Sequence, residues 1–241
     1  VADYLGTAHT ELYVSPAEAM QVIPRLPTLY DEPFADSSQI PTYLVSELTR
    51  RKVTVALSGD GGDELFAGYG RYFWAANLWG RINSIPRSLR QVAACSLTML
   101  SPMAWTTFFQ GISPVLPKRL KLRNPGDKPS KLAEILTVET VEALYLAIVS
   151  HWKSPTEVVL GSREPLTALT DHSRWSDSPE VFDRMMHLDM LSYLPDDILV
   201  KVDRASMGVS LEARVPFLDH RVVEFARKLP LSMKIHEGKG K

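Results

Sequence analysis

The sequence feature that most constrains the fold is a short apolar run that ends in a loop rich in glycine and acidic residues. Residues 52–57 read KVTVAL, as a strand would, and residues 58–69 continue SGDGGDELFAGY. Glycines at positions 59, 61 and 62 allow the backbone to adopt positive φ and to approach a ligand closely. Successive N–H groups in such a turn can form a concave anion site. The segment therefore predicts a strand followed by an anion-binding loop.

Three carboxylates crowd this loop, at Asp60, Asp63 and Glu64. Acidic groups repel bare phosphate, so an anion site here requires a divalent cation such as Mg²⁺ that shares the phosphate oxygens. The loop therefore indicates nucleotide chemistry. A solvated strand-to-helix turn with Asp as the helix cap explains the same residues, and neither the Walker nor the dinucleotide pattern is present.

The charge balance argues against a nucleic acid or an anionic membrane as partner. The 241 residues carry a net charge of −1, which provides no basic face.

Val92 to Phe109 is the most apolar long stretch, but it is too short and too polar to span a bilayer. No signal peptide opens the chain, which starts with Val1 and ends in GKGK, and we expect a piece of a longer protein.

A single cysteine, Cys95, excludes an intrachain disulfide and a two-cysteine metal site. Its apolar neighbours predict a buried and inert thiol. This cysteine usage favours a reducing compartment, and we expect a cytoplasmic protein.

The N-terminal part predicts alternating strands and helices. Thr10 to Val14 reads as a strand, Ser15 to Glu18 as a helix start with proline in the first turn, and Asp31 to Ser38 as a loop that ends in a cap. One face of the next helix is marked by Ile40, Leu44, Val45 and Leu48. The order of elements resembles half of a βαβ unit, whose ligands bind beyond the carboxyl ends of the strands.

The middle of the chain predicts helices from Arg71 to about Thr170, punctuated by prolines. Residues 113–131 are rich in Pro, Lys and Arg and predict an exposed connection. His151 and His172 have no second ligand at metal spacing, so both are interpreted as packing residues.

A second informative segment lies between residues 189 and 219. It starts with a helical period, then alternates charged and apolar residues from Pro195 to Gly208. Pro216 should make the residue before it extended, and Asp219 should cap a helix. A helix–turn–helix hinge explains Glu212, Arg214 and Asp219 as ion pairs. Roles for Asp197, Lys201 and Asp203 stay open between structure and function.

Four segments together resemble the synthetase domain of glutamine-dependent asparagine synthetases. The acidic loop, VALSGDGGDELFAGY, is similar to the second ATP-site motif of that family. The segments DEPFADSS, YLPDDILVKVDRASM and EARVPFLD are similar to other blocks of the same domain. The resemblance extends over essentially the whole chain. β-Lactam synthetases share the architecture and are the nearest relatives to confuse with it.

The resemblance implies a pyrophosphatase-type α/β fold (adenine nucleotide alpha hydrolase-like), a parallel sheet with a large helical extension. Residues 1–72 would form the α/β part and residues 73–241 the mainly helical part. The family activates a carboxylate with ATP as an acyl-adenylate, and ammonia from a glutaminase domain then attacks it. The family's first phosphate loop, Ser-Gly-Gly-x-Asp-Ser, and the glutaminase domain are not in these residues, so the sheet should be incomplete.

The resemblance also implies roles for individual residues. Four loop residues would contact ATP: Ser58, Gly59, Gly61 and Gly62. Asp63 would bind Mg²⁺, and Asp60 would lie close to the reacting carboxyl group. Lys241 would neutralise phosphate charge, although we expect it to be poorly ordered without a supporting helix.

Residues 1–241 alone are expected to be inactive, because they contain half of a phosphate site. Aspartate is the expected acid substrate, and ammonia the second substrate. One alternative is amidation of a sugar uronate or another carboxylate. The other is a non-catalytic scaffold derived from the fold. The sequence leaves the oligomeric state open, with a homodimer as one option.

Overall fold

The computed structural model describes residues 2–112, 127–150, 152 and 154–241. In these residues the helices, in chain order, are α1 (Ala2–Leu5), α2 (Pro16–Val22), α3 (Leu26–Tyr30), α4 (Gln39–Arg50), α5 (Gly62–Leu65), α6 (Gly70–Asn83), α7 (Arg87–Thr98), α8 (Pro102–Ile112), α9 (Asp127–Thr137), α10 (Val141–Val149), α11 (Pro155–Val158), α12 (Val181–Leu191), α13 (Leu199–Met207), α14 (His220–Lys228) and α15 (Leu231–Lys234). The strands are β1 (Val55–Leu57) and β2 (Glu212–Arg214). Two compact units result, the first from Val1–Gly68 with Leu188–Lys241 and the second from Tyr69–His187.

The sheet of the first unit consists of two short parallel strands. β1 pairs with β2 so that Val55 lies opposite Glu212 and Leu57 opposite Arg214. The apolar run at 52–57 is thus confirmed as a strand, but only its last three residues pair. The mostly helical chain with a small parallel sheet is consistent with an incomplete α/β domain. β2 lies where the sequence predicted the turn of a hinge.

The start of α2 follows its sequence signal closely. The Ser15 side chain accepts from the backbone N–H of Glu18, and the Glu18 carboxylate accepts from the N–H of Ser15. The strand predicted at Thr10–Val14 is wrong, because this segment has no regular structure. A strand requires a hydrogen-bonded neighbour, and in the described part of the chain this segment pairs with none.

The core of the first unit forms where α13 packs against α3 and α4. Val22, Tyr43 and Ala205 are its buried members. The predicted face of α4 is partly wrong: Ile40 and Leu44 pack on this core, whereas Val45 is 51% exposed. α4 buries Tyr43 instead of Val45, because burial of an aromatic ring removes more apolar surface than burial of a valine side chain.

The second unit is built from helices, as the sequence predicted. α6 packs against α10 and α7 against α9, with Tyr72, Leu144 and Tyr145 fully buried. Cys95 is exposed, so the predicted buried thiol is wrong: its helix turns Ala94, one residue earlier, toward the interior.

Two predictions in the middle of the chain fall on residues that the structure does not describe. Most of the predicted exposed connection, residues 113–126, and His151 lie outside the described residues. The remainder of the connection is helical, because α9 begins at Asp127.

No single helix among the described residues is long and apolar enough to cross a membrane. The pair Arg87–Thr98 and Pro102–Phe109 meets the length and composition requirement only jointly, across a bend of 83°.

Candidate functional site

The acidic loop leaves the sheet directly at the carboxyl end of β1. The backbone N–H of Ser58 donates to the Arg214 carbonyl at 2.8 Å, which extends the strand pairing by one residue. The Ser58 hydroxyl then donates to the Asp60 carboxylate. The chain turns at Gly61, which has φ +78° and leads into the short helix α5. The strand pairing and the turn at Gly61 therefore together determine the direction of the loop.

Gly61 is required for close packing as well as for its backbone angle. A Cβ at this position would lie 2.8 Å from Cδ2 of Leu218. Any side chain here would therefore meet the segment that follows β2, besides being strained by the positive φ. The loop is held between its own strand and the neighbouring one.

Lys241 lies against this loop. Its backbone N–H donates to the Phe66 carbonyl at 3.1 Å, and its Nζ is 3.4 Å from Oδ1 of Asp63. A Cβ on Gly62 would lie only 2.8 Å from the same Nζ. Backbone and side-chain contacts thus place the ammonium of Lys241 beside the turn.

The donor chemistry of the loop is compatible with Mg²⁺. Asp60 and Asp63 are both partly exposed, and Lys241 is the present counter-ion of Asp63. Among the described residues there is no cluster of three or more metal-ligating side chains. Mg²⁺ is usually held by one or two carboxylates together with substrate phosphates and water. Two loop carboxylates thus fit a metal that arrives with a nucleotide.

An open crevice of about 450 Å³ lies beside the loop. α4, β1 and α13 line it, and its polar lining includes Ser58, Asp60 and Lys201. Its size is within the range of small-molecule sites. The structure therefore brings Ser58 and Asp60 to one cavity, and Gly62, Asp63 and Lys241 to one turn.

The sequence did not predict the buried ion pair beside this crevice. Nζ of Lys201 lies 2.6 Å from Oδ2 of Asp36 and 2.7 Å from Oγ of Ser38. The two charged side chains are only 10% and 18% exposed. Burial raises the pKa of Asp36, but the hydrogen bonds from Lys201 and Ser38 lower it by more. The resulting pKa is about 2.

Tyr30 adds a further buried polar group to this cluster. Its hydroxyl donates to the Lys201 carbonyl at 3.3 Å. Burial, followed by the negative charges of Asp36 and Asp197, raises the pKa of Tyr30 to about 12. The phenol therefore stays neutral at physiological pH.

Three other charged residues of the 189–219 segment, Glu212, Arg214 and Asp219, form structural contacts. Arg214 Nε donates to Glu212 at 2.7 Å, which confirms an ion pair within β2 rather than in a hinge. Asp219 accepts from the Arg221 backbone N–H at 2.9 Å and caps α14, as predicted. Val215 is extended, as Pro216 required. Asp203 is exposed.

The parallel strand pair, with a glycine-rich acidic loop after β1, is consistent with an incomplete α/β domain that carries a candidate nucleotide site. The asparagine synthase family model matches residues 1–241. The chain belongs to the asparagine synthase family.

Curated relatives give the same family over nearly the whole chain. Asparagine synthetase [glutamine-hydrolyzing] 1 of Bacillus subtilis is 34% identical over 239 residues, which cover 97% of this chain and 34% of that protein. A putative asparagine synthetase of Mycobacterium bovis is 32% identical, with 97% of this chain and 33% of that protein covered. A putative asparagine synthetase of Methanocaldococcus jannaschii is 43% identical over 94 residues, or 39% of this chain and 18% of that protein.

The chain spans about a third of the length of the first two relatives. No solved structure matches it.

Proposed function

We propose that the chain is part of an ATP-dependent ligase that adenylates a carboxylate, aspartate in the first place, and transfers ammonia to it. The products are asparagine, AMP and pyrophosphate. Family membership supports this reaction, as does the location of the acidic loop at the carboxyl end of a parallel strand. The pyrophosphatase-type fold of the complete domain belongs to the same proposal.

One observation carries the proposal: an ammonium, a carboxylate and a glycine backbone meet at one turn. Lys241 Nζ is 3.4 Å from Asp63 and contacts the position that a Cβ on Gly62 would occupy. A cation at a glycine turn suits a polyphosphate, and the neighbouring carboxylate suits the metal that accompanies it. A scaffold protein has no use for this combination of groups.

Each group has a distinct role in the proposed reaction. Backbone groups of Ser58 and Gly59, with the turn at Gly61 and Gly62, would orient the nucleotide. Lys241 would offset the negative charge that develops on the departing pyrophosphate. When bound, Mg²⁺ would supply further positive charge on the phosphates, with Asp63 as its ligand from this loop.

Asp60 lines the crevice, where the acid substrate would bind. Its carboxylate already accepts a hydrogen bond from Ser58, which orients it. It would therefore lie close to the reacting carboxyl group and accept a proton from incoming ammonia.

Several finer features belong to the same proposal. We infer that the partners are small molecules, with ammonia supplied by a glutaminase domain, and that the protein acts in the cytoplasm. We also infer that residues 1–241 alone release no pyrophosphate, because the first phosphate loop of the family is not in this sequence. Size-exclusion chromatography with light scattering would decide whether the protein is a homodimer.

The test is pyrophosphate release by the full-length gene product from ATP, ammonia and an acid. We expect turnover with aspartate, and a loss of about 100-fold or more in kcat/KM for ATP in Lys241→Met. Lys239→Met is the matched control in the same tail, because the side chain is exposed, and it should change activity less than twofold.

Three results would redirect the proposal. Amidation of glucuronate but not of aspartate would show that the acid substrate is a uronate and not aspartate. Failure to bind ATP at all would favour the scaffold. Equal loss in both lysine variants would remove Lys241 from the phosphate site.

A further inference from the structure

Among the described residues, the lining of the crevice beside the acidic loop includes a cation and an anion. Asp60 enters its lining from the loop, and Lys201 enters from α13. Lys201 is the one cationic residue among the described residues that line this cavity. Nothing in the proposed roles of the loop residues uses it.

Two side chains hold the Lys201 ammonium, yet part of its hydrogen-bonding capacity is unused among the described residues. Its ammonium donates to Asp36 and Ser38, which accounts for two of its three N–H groups. The side chain is nine-tenths buried. No other described residue accepts from this ammonium, so one N–H remains for a ligand.

A structural role alone gives a weak reason for a lysine at this position. Burying an ion pair costs desolvation energy that offsets most of the attraction, and an apolar pair of similar volume is often as stable. The same helix and the same loop are also joined at the surface by Arg204 and Asp31, whose charged atoms are 3.3 Å apart. The buried pair is therefore better explained by the crevice that Lys201 lines.

We propose that Lys201 positions the acid substrate by donating its remaining N–H to a carboxylate oxygen in the crevice. Asp36 and Ser38 act through Lys201, because they hold the ammonium in place before substrate arrives. This inference rests on the proposed function, since it takes the crevice as the site of the acid. A charge-assisted hydrogen bond to a carboxylate is among the stronger ones in proteins.

The test is a set of variants of the full-length protein, assayed for pyrophosphate release. Lys201→Met should raise KM for aspartate by about tenfold or more, with KM for ATP changed less than twofold. Lys201→Arg should recover part of the loss, because it keeps the charge. Arg204→Met is the matched control in the same helix, and it should leave both KM values unchanged.

The variant Lys201→Met leaves the Asp36 carboxylate without its partner and could fail to fold. The double variant Asp36→Asn/Lys201→Met removes both charges and keeps the shapes similar. It should unfold at a urea concentration close to that of the wild type and still show the raised KM for aspartate. An unchanged KM for aspartate in the folded double variant would overturn the inference.

Failure of the proposed function gives a different result. If the wild type releases pyrophosphate with neither aspartate nor glucuronate, the ligase proposal falls. Calorimetric titration of both acids into the wild type and the double variant then tests whether Lys201 binds a carboxylate. Binding to the wild type that weakens about tenfold in the variant supports the inference. Equal binding, or binding to neither protein, refutes it.

Discussion

Replacing Asp36 by asparagine should destabilise the protein strongly although the shape of the side chain hardly changes. Asparagine removes the negative charge that lies 2.6 Å from the Lys201 ammonium. The lysine side chain is only 10% exposed, so solvent cannot replace the lost charge. The variant therefore leaves a nearly buried cation without its counter-ion.

Two independent routes give the size of the effect. The pKa of Asp36 is lowered from 3.8 to about 2, and at 1.36 kcal/mol per unit this gap corresponds to about 2 kcal/mol. Removing one partner of a buried ion pair costs about 3–5 kcal/mol in other proteins. Because both side chains retain some exposure, we expect a loss of about 2–3 kcal/mol in the free energy of unfolding at pH 7.

The pH dependence of this effect has a definite sign. Because the pKa of Asp36 is lower in the folded state, its contribution is complete above the ordinary pKa of 3.8. It is lost as the pH falls from about 4 through about 2, where the folded-state carboxylate takes up its proton. Asparagine does not titrate, so the variant lacks this part of the acid destabilisation.

The assay is urea unfolding of the wild type and Asp36→Asn between pH 7 and pH 3, followed by circular dichroism. Asp31→Asn is the control, because its ion pair with Arg204 is exposed and should contribute less than about 0.5 kcal/mol. Equal stability of wild type and Asp36→Asn at pH 7 would refute the reasoning. So would a difference between them that stays constant down to pH 3.

Three further predictions concern the acidic loop and the start of α2. Gly61→Ala should cost about 1–3 kcal/mol in urea unfolding, because of its φ of +78° and its contact with Leu218; a cost near zero would mean that the loop relaxes freely. Ser15→Ala should cost about 1 kcal/mol through loss of the capping bond, whereas threonine should retain most of it. Asp63→Asn should raise the Mg²⁺ concentration for half-maximal pyrophosphate release by about tenfold or more; an unchanged Mg²⁺ titration would exclude Asp63 as a ligand.

The sequence predicted those features that depend on neighbouring residues. The helix start at Ser15–Glu18, the extended Val215 and the cap at Asp219 each arise from side chains within three positions. Their energetics are local, so a pattern of residue types is enough to recognise them. The same holds for the glycine turn that follows β1.

Features that depend on distant contacts were not predicted. β2 is only three residues long and becomes a strand because β1 lies beside it. The pair between Lys201 and Asp36 joins residues 165 positions apart, and no local pattern relates them. Thr10 to Val14 shows the reverse case, in which the right residue types lack a neighbour to pair with.

The candidate site divides in the same way. The loop from Ser58 to Asp63 follows from its glycines and carboxylates, whereas its closeness to Lys241 came only from the family resemblance. The role of Lys201 stayed open between structure and function. Lys201 and Asp60 line the same crevice, but they are far apart in the sequence, so no local pattern shows that they are neighbours. Its burial and its two partners are what separate it from the exposed Asp203.

The parallel pairing of β1 with β2 determines when this site can form during synthesis. A nascent chain that has reached only residue 187 contains the acidic loop but neither β2 nor the lysine that lines the crevice. Contacts between distant positions are slow to form, because a long stretch of chain must be closed first. The ribosome must therefore release most of this polypeptide before the crevice exists. Until then the acidic loop lacks the neighbouring strand to which Ser58 donates its backbone hydrogen bond.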